Sequence, residues 1–483
     1  MLNKDKTEKL LKTIALQFGN SHVEVDIPGH VDILSAGAVT ALPDPAAAVH
    51  RCLGEPLGTA SLPELARGCD NAVVVVSDNT RPVPYSGPDG ILAPIIETLE
   101  QGSVNDIKIL VACGTHRSMA EPELRDMLGD SAFQDGVEVI NHVSTDNSML
   151  RSIGSTDRTP EVMANRHYLD AQLKIATGLV EPHFMAGFSG GRKAICPGIC
   201  GRGVTYGLHS ASILNEEGST NLVLDGNPCH EESLRIAKMA GVDFIVNVTI
   251  DNNKKITGVF AGELEEAHLA AVEHLRSYAT IPVTRLYDVV IIQAGDAGVN
   301  HYQCVKAVFE AVRVARPDGK VILLGSLTDP DPVGNQNYKD MLRLAIRLGP
   351  DGFLQRILDP DWVFVPDQWE VQMWSKAYRR LAGPKEIYIC APQLEDCPQD
   401  LLPETNVAAQ NKRLTGESNE DFARRILQQT IDRLTQGPAD KETLVLPDGP
   451  YAVPQLQIGP NASCRMRLAG SKLLKEMFLW RQM

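Results

Sequence analysis

Asn71-Ala72-Val73-Val74-Val75-Val76-Ser77-Asp78-Asn79-Thr80-Arg81-Pro82 is the stretch that decides the fold. The run over 72–76 is apolar, β-branched and without alternation. That pattern predicts a strand buried on both faces, because alternation is expected only where one face meets water. It stops at a polar, proline-stiffened turn. A helical stretch follows near 88–102, then a second apolar run over 107–112 that ends in Cys113-Gly114-Thr115-His116-Arg117. A helix over 121–128 is predicted from its Glu121-Pro122-Glu123 opening. Further strands are predicted over 137–141 and 173–178, the last leading into Glu181-Pro182-His183. Buried strands alternating with helices specify a parallel α/β sheet. Ligands of such sheets bind off the carboxyl ends of the strands. Asp78, Arg81, His116 and His183 all follow strand ends, so one pocket is expected to collect them.

A second α/β segment begins near 286. Strands are predicted over 287–292, 321–324, 362–365 and 387–390, with helices near 302–315, 336–347, 369–382 and 418–435. The stretch 392–417 reads as a long loop, and 443–446 as a late strand before the turn Pro447-Asp448-Gly449-Pro450. The expected fold is α/β in two domains, each a mainly parallel sheet flanked by helices, with the active-site cleft between them. The expected boundaries are 1–280 for an N-terminal domain, 281–440 for a C-terminal domain, and 441–483 for a late strand returning toward the first domain plus a tail. A helix is expected at the start, strands near 21–27, and a short amphipathic helix over 468–480 that docks on the body or on a second copy in a homo-oligomer.

At 483 residues the chain is too long for one ordinary core. Its net charge of −15 argues against nucleic acid and against anionic membrane surfaces. The charged N-terminal stretch lacks a signal-peptide core, and no apolar run reaches the roughly 20 residues of a membrane span. A cytoplasmic location follows as the expectation. The ten cysteines form no small-domain framework, so they are read as reduced structural thiols, Cys196 and Cys200 included. The N-x-S/T matches at Asn247 and Asn461 are read as chance.

The densest chemistry runs from Glu181 to Lys193. Gly187, Gly190 and Gly191 allow close backbone approach to a ligand, and their amides ahead of a helix would make an anion site beside Arg192 and Lys193. The block is not a P-loop, since Ala194 follows Lys193. A tight turn with a solvated Arg-Lys pair is the plainer alternative. His116, His183 and His209 are candidate acid/base groups or ligands, with His142 and His230 weaker. Arg81 suits a bidentate grip on a carboxylate. Gln303 and Lys306 share a face if helical. Trp369 would wall a pocket or fill a core. These residues alone imply an enzyme acting on a small anion and leave the reaction open.

Taken in order, Asp78-Asn79-Thr80-Arg81-Pro82, Gly114-Thr115-His116-Arg117, the block from Glu181 to Lys193, Gly207-Leu208-His209, Tyr302-Gln303-Cys304-Val305-Lys306 and Asp367-Gln368-Trp369 resemble the nickel-dependent lactate racemase family over about 10–390 and 442–458. The resemblance implies a racemase or epimerase that inverts C2 of a small 2-hydroxy acid by proton-coupled hydride transfer. It implies a nickel-pincer nucleotide, a pyridinium mononucleotide tethered through a thioamide at Lys193, with His209 as the protein's nickel ligand. His116 and His183 would be the acid/base pair. Asp78, Thr80, Gly187, Ser189, Gly190 and Gly191 would contact the nucleotide. Arg81, Tyr302, Gln303, Lys306 and Trp369 would hold the substrate. The implied partners are a small 2-hydroxy carboxylate (lactate, a malate-like diacid, a sugar acid or an aryl lactate) and the enzymes that build the cofactor. Two other readings remain at this level: a non-catalytic carrier of the nickel nucleotide, and a redox enzyme on a small carboxylate using a free nicotinamide cofactor.

Overall fold

A computed structural model of the chain describes residues 11–457 apart from Gly29, Gln399 and 436–440. The described residues divide into two compact units, Ala38–Tyr278 and the remainder on either side of it.

The first of these units is built on a six-stranded sheet. Its order is Ile256–Gly262, Phe244–Ile250, Leu173–Leu179, Asn71–Ser77, Asp106–Ala112 and Val137–Asn141. Every pairing is parallel except the hairpin between Phe244–Ile250 and Ile256–Gly262. Val73, Val74, Val75 and Val76 have no exposed surface, which accounts for their unbroken apolar run. Even-numbered valines pack with Ile95, Leu99 and Ile109 on one face, and odd-numbered ones with Leu110, Ile195 and Ala237 on the other. Fully burying one such side chain contributes roughly 1.5–3 kcal/mol. The chain runs outward from Asn71–Ser77 in one direction and then returns to place Leu173–Leu179 on its opposite side. The switch point of this doubly wound sheet therefore lies between those two strands, and a ligand is expected off their carboxyl ends.

The other unit carries an all-parallel sheet ordered Thr405–Asn406, Ile387–Cys390, Ala315–Leu324, Tyr287–Gln293, Thr443–Leu446 and Asp32–Ile33. The antiparallel hairpin of Leu11–Phe18 and Ser21–Pro28 covers it, with Leu16, Val23, Val25 and Ile27 packed on Phe422, Ile426 and Leu427 of the helix Asn419–Thr435.

This division differs from the expected boundaries. Residues 11–37 belong with the C-terminal part of the chain, because Asp32–Ile33 pairs with Thr443–Leu446. The late strand accordingly completes the second sheet instead of returning to the first unit. The expected opening helix is a strand from Leu11 onward, and its earlier residues, like Asn461 and the expected helix at 468–480, lie outside the described residues. No strand forms over 362–365. There the Trp362 indole and the Val365 amide both donate to Gln368 Oε1 at 2.8 Å, which ties the segment to the helix Gln368–Tyr378. Among the described residues no helix is long and apolar enough to cross a membrane. Cys196 and Cys200 sit in an apolar cluster with Val162 and Val204.

Candidate active site

The turn after Asn71–Ser77 delivers Asp78, which is 5% exposed. Its Oδ1 accepts from the Thr80 hydroxyl at 2.6 Å, and its Oδ2 lies 2.6 Å from His116 Nδ1. His116 comes from the turn after Asp106–Ala112, which is anchored by the Gly114 amide on the Gly198 carbonyl at 2.9 Å. Burial works against the Asp78 carboxylate, but the bonds from His116 and Thr80 and the nearby Arg81 outweigh it and hold the carboxyl below its ordinary range. An ionised acceptor at Oδ2 fixes the His116 proton on Nδ1 and leaves the lone pair on Nε2.

The segment after Leu173–Leu179 supplies the rest. Glu181 Oε1 lies 3.3 Å from Arg81 Nε, joining the turns on the two sides of the switch point. His183 Nδ1 accepts from the Met185 and Ala186 amides at 3.3 and 3.1 Å. His183 Nε2 lies 2.7 Å from Lys193 Nζ. Burial, then Arg81, push the lysine down to about 7. Ser189 bonds the Leu179 carbonyl at 2.7 Å, and the Gly191 amide donates to Asn247 Oδ1 at 2.8 Å. His209 follows the helix Arg202–Leu208, with Nδ1 2.7 Å from the Thr205 carbonyl. Burial pushes its imidazole down to about 4 against that bond.

The glycine block differs from expectation in two respects. A four-residue 3-10 turn, Gly191–Ala194, follows it where a helix was expected, so no helix N-terminus makes an anion site there. A Cβ on Gly187, at φ +77°, would lie 1.9 Å from the Val223 carbonyl oxygen, and one on Gly190, at φ +74°, would lie 2.6 Å from Val180 Cγ2. These glycines serve a left-handed backbone and close protein packing. Gly187→Ala is therefore expected to cost roughly 2 kcal/mol or more in urea unfolding; an unchanged midpoint would mean that the loop relaxes freely.

Arg192 is 1% exposed and is not a solvated cation. Its guanidinium donates to the Ala186 carbonyl at 2.9 Å and the Gly190 carbonyl at 3.4 Å, bracing the loop from within. His142 is structural, held between the Cys200 carbonyl and the Asn165 amide. His230 is buried behind the loop. Asn247, Glu181 and Arg192 are the organising residues that motif reading missed. Asn247 is fully buried on Phe244–Ile250, so its N-x-T match has no glycan role.

The remaining candidates belong to the other unit. Tyr302, Gln303 and Lys306 lie on the helix His301–Ala311 as expected. Trp369 is 8% exposed, and its indole donates to the Tyr302 hydroxyl at 2.8 Å, while that hydroxyl lies 3.2 Å from Asp367 Oδ1. Glu370 beside them is raised to about 8 by burial, opposed by Lys306.

The N-terminal domain model of lactate racemase matches residues 18–221. The lactate racemase of Lactiplantibacillus plantarum is 34% identical over 333 residues, 68% of this chain and 76% of that protein. That of Thermoanaerobacterium thermosaccharolyticum is 31% identical over 383 residues, 76% of this chain and 86% of its own. The solved lactate racemase apoprotein from T. thermosaccharolyticum superposes with a TM-score of 0.79 at 26% identity, covering 92% of this chain and all of that one. A protein from Thermotoga maritima superposes at 0.61 with 16% identity, over 86% of this chain and 99% of its own, a likeness of fold.

Proposed function

Since the chain belongs to the lactate racemase family, and is thereby an isomerase, we propose that it inverts C2 of a small 2-hydroxy acid on a nickel-pincer nucleotide tethered to Lys193. The observation that carries this reading is the complementary state of the two histidines. His116 presents a lone pair at Nε2, backed by the Asp78 carboxylate, while His183 accepts two amides at Nδ1 and therefore carries its proton on Nε2. One base and one donor at neutral pH are what inversion at a hydroxyl-bearing carbon needs.

The residues fit the implied cofactor. Among the described residues no group of three or more His, Cys, Asp or Glu could hold a metal ion, so a metal here would bring most of its own ligands. His209 suits the one remaining position. Its Nδ1–H donates to the Thr205 carbonyl, which directs the Nε2 lone pair outward, and burial keeps the ring neutral. Lys193 offers an amine of depressed basicity on a turn whose backbone is fixed by Arg192 and Asn247. When bound, the nucleotide supplies the acceptor that takes hydrogen from C2 and returns it to the other face.

The protein's part is then proton movement and orientation. His116 Nε2 takes the proton of the 2-hydroxyl, and the Asp78 carboxylate balances the imidazolium that forms. His183 Nε2–H donates to the oxygen when the opposite configuration is made, and the two exchange roles for the other enantiomer. Arg81, Tyr302, Gln303 and Lys306 are assigned to the carboxylate and the keto oxygen, and Trp369 to an apolar contact with the substrate. Thr80 and Ser189 are assigned to the nucleotide.

Co-expression with the cofactor-building enzymes tests the reading. Intact mass should show an adduct on Lys193, metal analysis about one nickel per chain, and a panel of single-enantiomer 2-hydroxy acids should contain a member that is inverted. Adduct and nickel without any inversion would point to a carrier. No adduct, with a loaded control protein from the same host, would refute the tethered cofactor.

A further inference from the structure

We infer that His183 has a second task before catalysis: it holds the Lys193 amine uncharged and nucleophilic for attachment of the cofactor, and attachment then releases the imidazole for the reaction. The inference rests on the reading of Lys193 as the anchor. Its basis is a proton count along one line of atoms. His183 Nδ1 accepts from the Met185 and Ala186 amides at 3.3 and 3.1 Å. A ring nitrogen that accepts a hydrogen bond carries no proton, so the proton of the imidazole is on Nε2. Nε2 lies 2.7 Å from Lys193 Nζ, so Nζ is the acceptor of that proton. An ammonium has no lone pair and cannot accept. The geometry therefore requires –NH2 at Lys193.

The surroundings favour the same state. The amine faces Arg81 from the turn after Asn71–Ser77, Arg192 on its own turn, Cys229 on the helix Pro228–Ala240 and Glu181 beside His183. It also acts on His209. Burial and the two guanidinium groups disfavour a third cation more than Glu181 and Cys229 favour it, and the amine is pushed down to about 7.

Thioamide formation needs that lone pair. Nζ bonds to the thiocarboxyl carbon, the C–OH bond breaks, and the hydroxyl leaves with one Nζ proton as water; nothing is oxidised or reduced. The thioamide nitrogen then has its lone pair delocalised into C=S and accepts no hydrogen bond. His183 Nε2–H loses this acceptor on attachment and is directed to the next oxygen it meets, the role assigned to it above.

Two measurements on the unloaded full-length chain test this. In protein labelled with 15N at histidine, the ring whose signals respond to acylation of Lys193 should show the Nε2–H tautomer at pH 7.5. An Nδ1–H or doubly protonated ring there would overturn the inference, and this measurement needs no variant. Acylation by N-hydroxysuccinimide acetate, read by peptide mass across pH 6–10, gives the second. His183→Gln turns a carbonyl oxygen toward Nζ and favours the ammonium. Lys193 labelling at pH 7 should fall about tenfold and its profile should move alkaline, while exposed Lys12 is unaffected. Superimposable Lys193 profiles in the two proteins would overturn it. Neither measurement involves the nucleotide or a 2-hydroxy acid, so a negative result here leaves the racemase reading standing, and an inactive loaded enzyme would not bear on this one.

Discussion

Lys193→Met is expected to give a folded chain, more stable than wild type at pH 6, that carries no adduct and inverts no substrate. The fold does not depend on the amine. The turn is held by the Lys193 amide on the Gly190 carbonyl at 3.1 Å, by Arg192 on the Ala186 carbonyl, and by Asn247 on the Gly191 amide. The amine itself is a burden near neutrality. Its basicity falls from the ordinary 10.5 to about 7, mainly through burial and then through Arg81. Between those values the unfolded chain binds the proton that the folded chain lacks, so wild-type stability rises with pH across that window. Below about pH 7 the whole penalty is present, on the order of 2–4 kcal/mol once the partial solvent access of the side chain is allowed for. Methionine removes the penalty and forfeits the bond to His183, worth about 1 kcal/mol. The net gain of roughly 1–3 kcal/mol should appear in urea midpoints at pH 6 and fade toward pH 10. A variant less stable at pH 6 would show that the amine supports the fold. Adduct and turnover that survive the substitution would place the anchor elsewhere.

Parts of this arrangement were open to sequence reading for a local reason. A strand covered on both faces needs an unbroken apolar run, and 72–76 has one; the turn residues beyond it follow directly, which is how Asp78, His116 and His183 came to be placed at strand ends. Sheet membership is different. Whether Asp32–Ile33 belongs with its neighbours in sequence or with Thr443–Leu446 is decided by pairing across four hundred residues, and nothing local encodes it. Arg192 was misplaced because an adjacent Arg-Lys pair normally lies in water; here three of its contacts are backbone carbonyls and a histidine inside the loop. The segment 362–365 has strand composition, yet Gln368 takes its donors before a ladder can. Motif resemblance named Lys193 and both histidines, but their proton positions come only from the geometry around them.

Asp78→Asn should lower kcat by about 10²–10⁴ with little change in KM, by the physics that governs any imidazole oriented by a carboxylate. The carboxylate serves two donors on separate oxygens, the Thr80 hydroxyl on Oδ1 and His116 on Oδ2. Asparagine has one oxygen. If it stays with Thr80, the amide N–H2 faces His116 Nδ1, the ring must present a lone pair there, and its proton moves to Nε2, where a base needs none. The charge that would balance the imidazolium is lost as well. In wild type this charge is secure across the working range: the lowered Asp78 pKa means that its contribution is complete above the unfolded value near 4 and is lost only as pH falls through the still lower folded value. The resemblance instead assigns Asp78 to the nucleotide, and a double-mutant cycle separates the two roles. If Asp78 acts through His116, Asp78→Asn costs almost nothing further in a His116→Gln background, and the loaded protein keeps its adduct and nickel in both. A full additional loss in that background, or a fall in bound cofactor, would assign Asp78 to the nucleotide and leave His116 to be oriented by the substrate alone.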